Sequence, residues 1–89
     1  GLYDGHMNWC LYLLECADGS LYAGITNDLE KRVAAHNRGT GSRYTRARLP
    51  VKILVSKPYA NRSEASRAEA AVKKLPRQKK IGFFNENES

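Results

Sequence analysis

Five side chains in this sequence have the types and spacing to do chemistry together: Tyr12, Tyr22, Arg32, His36 and Glu69. A phenol can take a proton from water, or relay one, when a neighbouring cation stabilises the phenolate. An arginine can hold phosphate oxygens and offset the charge that develops in a transition state. A carboxylate can anchor a hard divalent ion that keeps its waters and meets the oxygens of a substrate. Such a set would suit cleavage of a phosphodiester. The sequence has no Ser-His-Asp order, no P-loop and no carboxylate pair of the glycosidase kind. The residues alone leave two readings open, a metal-assisted nuclease and a non-catalytic nucleic-acid binder.

The set can act only if the chain brings its members together. Residues 8–16 (NWCLYLLEC) and 20–25 (SLYAGI) read as two strands around Ala17-Asp18-Gly19, and a Leu-Tyr pair occurs in each. Side chains alternate faces along a strand, so a slip of one residue exchanges every partner. A two-residue Asp18-Gly19 loop would set Glu15 opposite Tyr22 and Tyr12 opposite Ile25, placing the phenols on different faces. A three-residue loop with Gly19 left-handed sets Leu14 opposite Tyr22 and Tyr12 opposite Gly24. Trp9, Leu11, Leu13, Leu21, Ala23 and Ile25 then share one face, and Cys10, Tyr12, Leu14, Tyr22 and Gly24 the other. The second register segregates the apolar residues better and is the one expected. It also puts both phenols on one surface, with room beside Gly24.

NDLEKRVAAHNRG carries helix signals at both ends: Asn27 as cap with Glu30 reaching back, and Gly39 after the last turn. Leu29 and Val33 supply its apolar stripe. Arg32 and His36, four apart, are neighbours at the edge of that stripe, where such a pair is ordinarily a solvated flank. Residues 40–50 form a basic connection with a helical turn near 44–47, and VKILVSKPY is the third strand, closed by Pro58. NRSEASRAEAAVKKL is a helix capped by Asn61 or Ser63, with Ala65, Ala68, Val72 and Leu75 facing inward. Glu64 can complete that cap. Glu69 falls within the inward stripe, where a carboxylate is costly to bury unless it meets a cation, a metal or hydrogen-bond donors. A short basic helix, PRQKKIGFF, then returns Ile81, Phe83 and Phe84 to the core. The order β-β-α-β-α-α describes an α+β domain with a small, mainly antiparallel sheet.

Fifteen Lys and Arg against nine Asp and Glu give a net charge of +6. The basic excess lies in 38–48, Lys52, Lys57 and 62–80. A small domain of this charge suits a polyanion, and nucleic acid is the usual one. A membrane is disfavoured, since there is no long apolar run and no basic helix with a strongly aromatic opposite face. Cys10 and Cys16, if on one extended strand, stand roughly 20 Å apart at about 3.3 Å per residue and cannot pair. Neither has the context of a zinc site, so both read as small buried hydrophobes. Two unpaired thiols and no signal sequence suggest the cytoplasm. Residues 1–6, ahead of Met7, read as a remnant foreign to the natural chain, which sets His6 aside. Residues 7–84 are expected to form a single domain and 85–89 a polar tail.

The five residues, in this order, resemble the GIY-YIG nuclease superfamily. Cys10-Leu11-Tyr12 stands at the family's first tripeptide and keeps only its tyrosine, while Tyr22-Ala23-Gly24 stands at the second. Arg32 and His36 match the arginine and the following His/Tyr position, and RSEASRAEAAVKKL resembles the helix bearing the metal-binding glutamate. Ile25 occupies a position where some relatives carry lysine, and Ile81 one where some carry asparagine. The resemblance spans about residues 8 to 81 and suggests the small standalone bacterial type. It implies a three-stranded antiparallel sheet flanked by helices. It also implies endonucleolytic hydrolysis of DNA, of low sequence specificity, with one Mg²⁺ or Mn²⁺ and no small-molecule cofactor, in DNA repair, recombination or processing. By that implication Tyr12 and Tyr22 activate or position the attacking water. Arg32 stabilises the transferring phosphate, His36 assists the phenols or the phosphate, and Glu69 binds the metal.

Overall fold

Four consecutive residues, Leu11 to Leu14, are buried, which a strand tolerates only when both of its faces are covered. They form the middle of β1 (Trp9–Glu15), the central strand of a three-stranded antiparallel sheet with β2 (Leu21–Thr26) and β3 (Lys52–Tyr59) at its edges. The computed structural model describes residues 8–86, so 1–6 with His6, and the last three residues of the expected tail, lie outside the described residues. The element order agrees with the α+β reading.

The hairpin adopts the register that collects the phenols on one face. Tyr12 pairs with Gly24 and Leu14 with Tyr22. The Cys16 N–H donates to the Ser20 carbonyl and the Gly19 N–H to the Cys16 carbonyl, both at 2.9 Å, which closes the turn over Ala17-Asp18-Gly19. Gly19 takes φ +85°, the left-handed conformation that a side chain would strain. On the third strand, Leu13 pairs with Val55 and Leu14 with Ile53, so the ladder shifts by one residue between them. Pro58 lies inside β3, opposite Cys10, rather than closing it. An edge strand can spare the N–H that proline lacks.

The sheet separates two cores. Leu11, Leu13 and Ala23 pack with Val72 of α3 (Arg62–Lys73) and Phe84 of α4 (Arg77–Glu86), and Ala68, Leu75, Ile81 and Phe83 join them. Tyr12, Leu14, Cys16 and Val51 form the other core, with Tyr22 and with Leu29 and Val33 of α1 (Leu29–Asn37). The turn near 44–47 is α2 (Arg43–Arg46), capped by Ser42.

Two boundaries differ from expectation. The cap of α1 is Asp28, whose carboxylate accepts from the Lys31 N–H, and not Asn27. The Thr26 hydroxyl accepts from the Asp28 N–H at 3.1 Å, and this local turn delays the helix start by one residue. α4 continues to Glu86, two residues into the segment read as tail. Asn61 caps α3 as expected, its side-chain oxygen accepting from the Glu64 N–H at 2.9 Å. Among the described residues no helix is long and apolar enough to cross a membrane.

Gly24 is a position where only hydrogen fits. A methyl group there would collide with the hydroxyl and ring of Tyr12, whose side chain is buried and cannot withdraw. Gly24→Ala should therefore lower unfolding free energy by about 2 kcal/mol through overpacking. Gly82→Ala, with open space on α4, should be neutral or stabilise by up to about 1 kcal/mol. Urea unfolding of the two variants checks both, and an unaffected Gly24→Ala protein would contradict the close approach.

Candidate active site

β1 carries Tyr12 inward on the α1 side of the sheet, and α1 lays Arg32 and His36 over it. The Tyr12 hydroxyl and His36 Nε2 are 3.1 Å apart, and Arg32 Nε donates to the same hydroxyl at 3.4 Å. A second guanidinium nitrogen of Arg32 donates to the Gly41 carbonyl at 3.1 Å, which fixes the plane of the group. Tyr22 meets the His36 ring edge to face, with centroids 5.3 Å apart. Four of the five expected residues thus meet on one face.

His36 is not the solvated flank that its spacing would ordinarily give. It is 0% exposed, and its Nδ1 lies 2.8 Å from the hydroxyl of Thr45, also 0% exposed. The Thr45 hydroxyl is in turn 3.0 Å from that of Ser42. The cluster closes in either tautomer. With a proton on Nδ1, His36 donates to Thr45 and accepts the Tyr12 proton at Nε2. With a proton on Nε2, Thr45 donates to Nδ1, and the Tyr12 oxygen accepts from both His36 and Arg32, as a phenolate would require. The loop between α1 and α2 fits only because Gly41 lacks a side chain, since a Cβ there would strike the His36 ring.

Glu69 approaches from the other layer. Ala68 and Val72 carry the stripe of α3 into the opposite core, and Glu69 sits half-buried beside it. Its carboxylate pairs with Lys73 at 3.2 Å, one turn on, which is the cation that makes its partial burial tolerable. α3 packs over the edge strand β2, and from there the Glu69 charge still reaches the Tyr12 phenol. Burial raises the Tyr12 pKa above its ordinary 10. The hydrogen bond and charge of Arg32 oppose that rise, while Tyr22 and Glu69 add to it. His36 is pushed below 6.5, first by burial and then by the Arg32 charge. The resting cluster is therefore a neutral phenol and a neutral imidazole beside a fixed cation.

Arg32 also lines a cleft of about 270 Å³ with Thr26, Asn27, Asp28, Lys31, Ala35 and Arg38. Three cations and one carboxylate line it, and Arg32 links it to the Tyr12 phenol. Among the described residues no group of three or more His, Cys, Asp or Glu is placed to hold a metal. A hard divalent ion that keeps its waters needs only one or two carboxylates and the substrate's own oxygens, and Glu69 fits that lesser role.

Sequence reasoning missed Thr45, Ser42, Gly41, Tyr44 and Arg48. GSRYTRAR advertises charge, and nothing in its spacing says that α2 folds back onto His36. Tyr44 stacks on Tyr22 with centroids 5.9 Å apart, and the Arg48 guanidinium lies over the Tyr44 ring at 3.9 Å.

A depressed His36 pKa has a consequence for stability. The folded protein favours the neutral ring, so its contribution is fully present above the unfolded value near 6.5 and is lost as pH falls through the folded pKa. Melting temperature should fall from pH 7 to pH 5 in the parent protein and fall less in His36→Gln, with the ring titrating below 6.5 by NMR. Thr45→Val, which strands His36 Nδ1, should cost about 1–3 kcal/mol, and Thr45→Ser should recover most of it in denaturant unfolding.

The GIY-YIG catalytic domain family model matches residues 8–82. The chain is 63% identical over 81 residues to a UPF0213 protein of Xanthomonas axonopodis pv. citri, covering 91% of this chain and 79% of that one. It is 47% identical over 79 residues to a UPF0213 protein of Streptococcus agalactiae, covering 89% and 90%. The solution NMR structure of an E. faecalis protein superposes with a TM-score of 0.61 at 40% identity, covering 92% of this chain and 91% of that one. That of a Bacillus halodurans UPF0213 protein gives 0.56 at 40%, covering 91% and 86%. The domain built around Tyr12, Tyr22, Arg32 and His36 belongs to the GIY-YIG family.

Proposed function

We propose that this protein is a nucleic-acid-binding module on a GIY-YIG fold, with DNA as its foremost partner and at most weak cleavage activity. The observation that carries this reading is the cleft of Lys31, Arg32 and Arg38 beside the phenol cluster. It offers cations to a phosphate where the net charge of +6 would already draw a polyanion. Arg32 is held by Tyr12 and Gly41, so little ordering cost remains when it meets a phosphate oxygen. Weak turnover fits a Glu69 carboxylate already engaged by Lys73. The two free thiols suit a reducing compartment such as the cytoplasm.

A second reading, metal-dependent endonucleolytic hydrolysis of DNA, is favoured by a specific observation. Phosphate binding alone does not need a buried phenol hydrogen-bonded to a neutral histidine and an arginine. In that reading Glu69 would hold a single Mg²⁺ or Mn²⁺. When bound, the ion would supply charge to the phosphate and acidify a water. Tyr12 would pass a proton to His36 or hold it as a phenol, Tyr22 would shape the water's site, and Arg32 would offset charge on the phosphate.

One set of measurements separates the readings. Fluorescence anisotropy with single-stranded, duplex and branched oligonucleotides should show binding that weakens with salt. Arg32→Ala should weaken it on every substrate and lower the salt slope by about one, while Glu69→Gln should leave it intact. Incubation of the same panel, DNA and RNA, with Mg²⁺ or Mn²⁺ should give little cleavage. Robust cutting that drops by about 100-fold or more in Glu69→Gln and Tyr12→Phe would establish the second reading. Absence of both binding and cleavage would overturn the two together.

A further inference from the structure

The aromatic contacts around Tyr22 continue past the phenol cluster toward solvent. From Tyr12 the rings run through His36 at 6.0 Å and Tyr22 at 5.3 Å to Tyr44 at 5.9 Å, where an interplanar angle of 26° makes a true stack. Arg48 ends the column, its guanidinium 3.9 Å from the Tyr44 centroid. Tyr44 is 38% exposed, one of the two large apolar residues at the surface of the described residues.

Arg48 is held in place. Its Nε donates to Asp18 at 3.1 Å, and Nη1 donates to the Tyr44 carbonyl at 2.9 Å. Asp18 sits at the hairpin tip, where its other oxygen accepts from the Ser20 N–H at 3.0 Å and the Ser20 hydroxyl at 2.6 Å. Those bonds, followed by the Arg48 charge, keep its carboxyl below its ordinary pKa and therefore ionised. The backbone agrees with the side chains: the Ala17 N–H donates to the Arg48 carbonyl at 2.9 Å. A long, exposed arginine ordinarily spends its rotamer freedom in water, whereas this one lies flat on a ring with two hydrogen bonds in its own plane. The side chain remains about one third exposed.

We infer that Arg48, laid on Tyr44 and fixed by Asp18, is a stacking subsite for an unpaired nucleobase, so the nucleic acid that this site takes is single-stranded or locally unpaired. This rests on the nucleic-acid reading above and names its substrate class. A guanidinium plane stacks on a base face as an aromatic ring does, and every base has such a face. A paired base inside a duplex stack cannot offer it. The cation serves a phosphate-rich ligand. Arg48 also ties the end of α2 to the hairpin tip through Asp18, a role that a charge alone can fill and that does not need the guanidinium to lie flat on the ring.

The test compares Arg48→Lys with Tyr44→Ala and Tyr44→Phe, using an oligothymidine and a duplex of equal length. Lysine keeps the charge and loses the plane. Arg48→Lys and Tyr44→Ala should each weaken oligothymidine binding about tenfold, leave duplex binding within a factor of two or so, and keep the salt slope within about one unit. Tyr44→Phe should behave as the parent. Thermal melts taken alongside keep unfolding apart from lost affinity. Equal losses on both ligands, or none on either, would overturn the subsite while leaving nucleic-acid binding in place. A parent protein that binds neither ligand would overturn the underlying reading instead.

Discussion

The turn at Ala17-Asp18-Gly19 is the constraint on which the site depends. Its odd length, with Gly19 left-handed, sets Leu14 opposite Tyr22 and Tyr12 opposite Gly24. Alternation then sends Leu11, Leu13 and Leu21 to one core and the phenols, with Leu14, to the other. A turn shorter by one residue would keep the strands and the hydrophobic content and still destroy the site. The same turn carries Asp18, whose carboxylate holds Arg48 against Tyr44. One short loop therefore fixes both where the tyrosines point and what lies over the outermost of them.

Burial makes the cluster unforgiving. His36 and Thr45 are sealed from water, so each polar atom must find a partner within the protein. Tyr12, Thr45 and Ser42 supply those partners in series, and Gly41 supplies the space. Arg32 beside a buried imidazole opposes its protonation, and the same arginine eases ionisation of the phenol. For a proton passed from Tyr12 to His36 the two effects oppose each other: Arg32 eases its departure from the phenol and disfavours the imidazolium that would receive it. A neutral histidine next to a phenol remains able to accept a proton, which a charged one could not.

Much of this was legible in the sequence, and the limits have physical causes. The hairpin register followed from alternation, because only the three-residue loop segregates the apolar residues well between the two faces. The inward faces of α3 and α4 followed from spacing and from the apolar Phe83 and Phe84. Arg32 and His36 stood out by type, yet their solvated-flank alternative could be dismissed only by seeing α2 cover them. That covering depends on the path of 40–50, a loop whose composition records charge and flexibility but no direction. The shift of the α1 cap from Asn27 to Asp28 turned on a side-chain hydrogen bond of Thr26, a choice between adjacent residues of nearly equal capping ability. Glu69 was conspicuous because it seemed to lack a partner on an apolar stripe. Lys73 is that partner, at the i,i+4 spacing that helices favour.

Glu69 reaches the phenol cluster only through its charge. Its helix belongs to the core on one side of the sheet, while Tyr12, Tyr22, Arg32 and His36 belong to the other. The two layers communicate through the edge strand β2 and through electric field, with the Glu69 charge raising the Tyr12 pKa across the gap. A carboxylate so placed hinders ionisation of the phenol for as long as its charge is uncompensated. Lys73 compensates it in the resting protein, and a divalent cation held there would do so more strongly. Burial and Arg32 outweigh Glu69 in setting how readily Tyr12 gives up its proton. A phosphate bound at Arg32 would likewise hinder ionisation, since it would draw on the cation that otherwise favours the phenolate. Ionisation of Tyr12 is opposed first by burial, and the hydrogen bond and charge of Arg32 are what ease it.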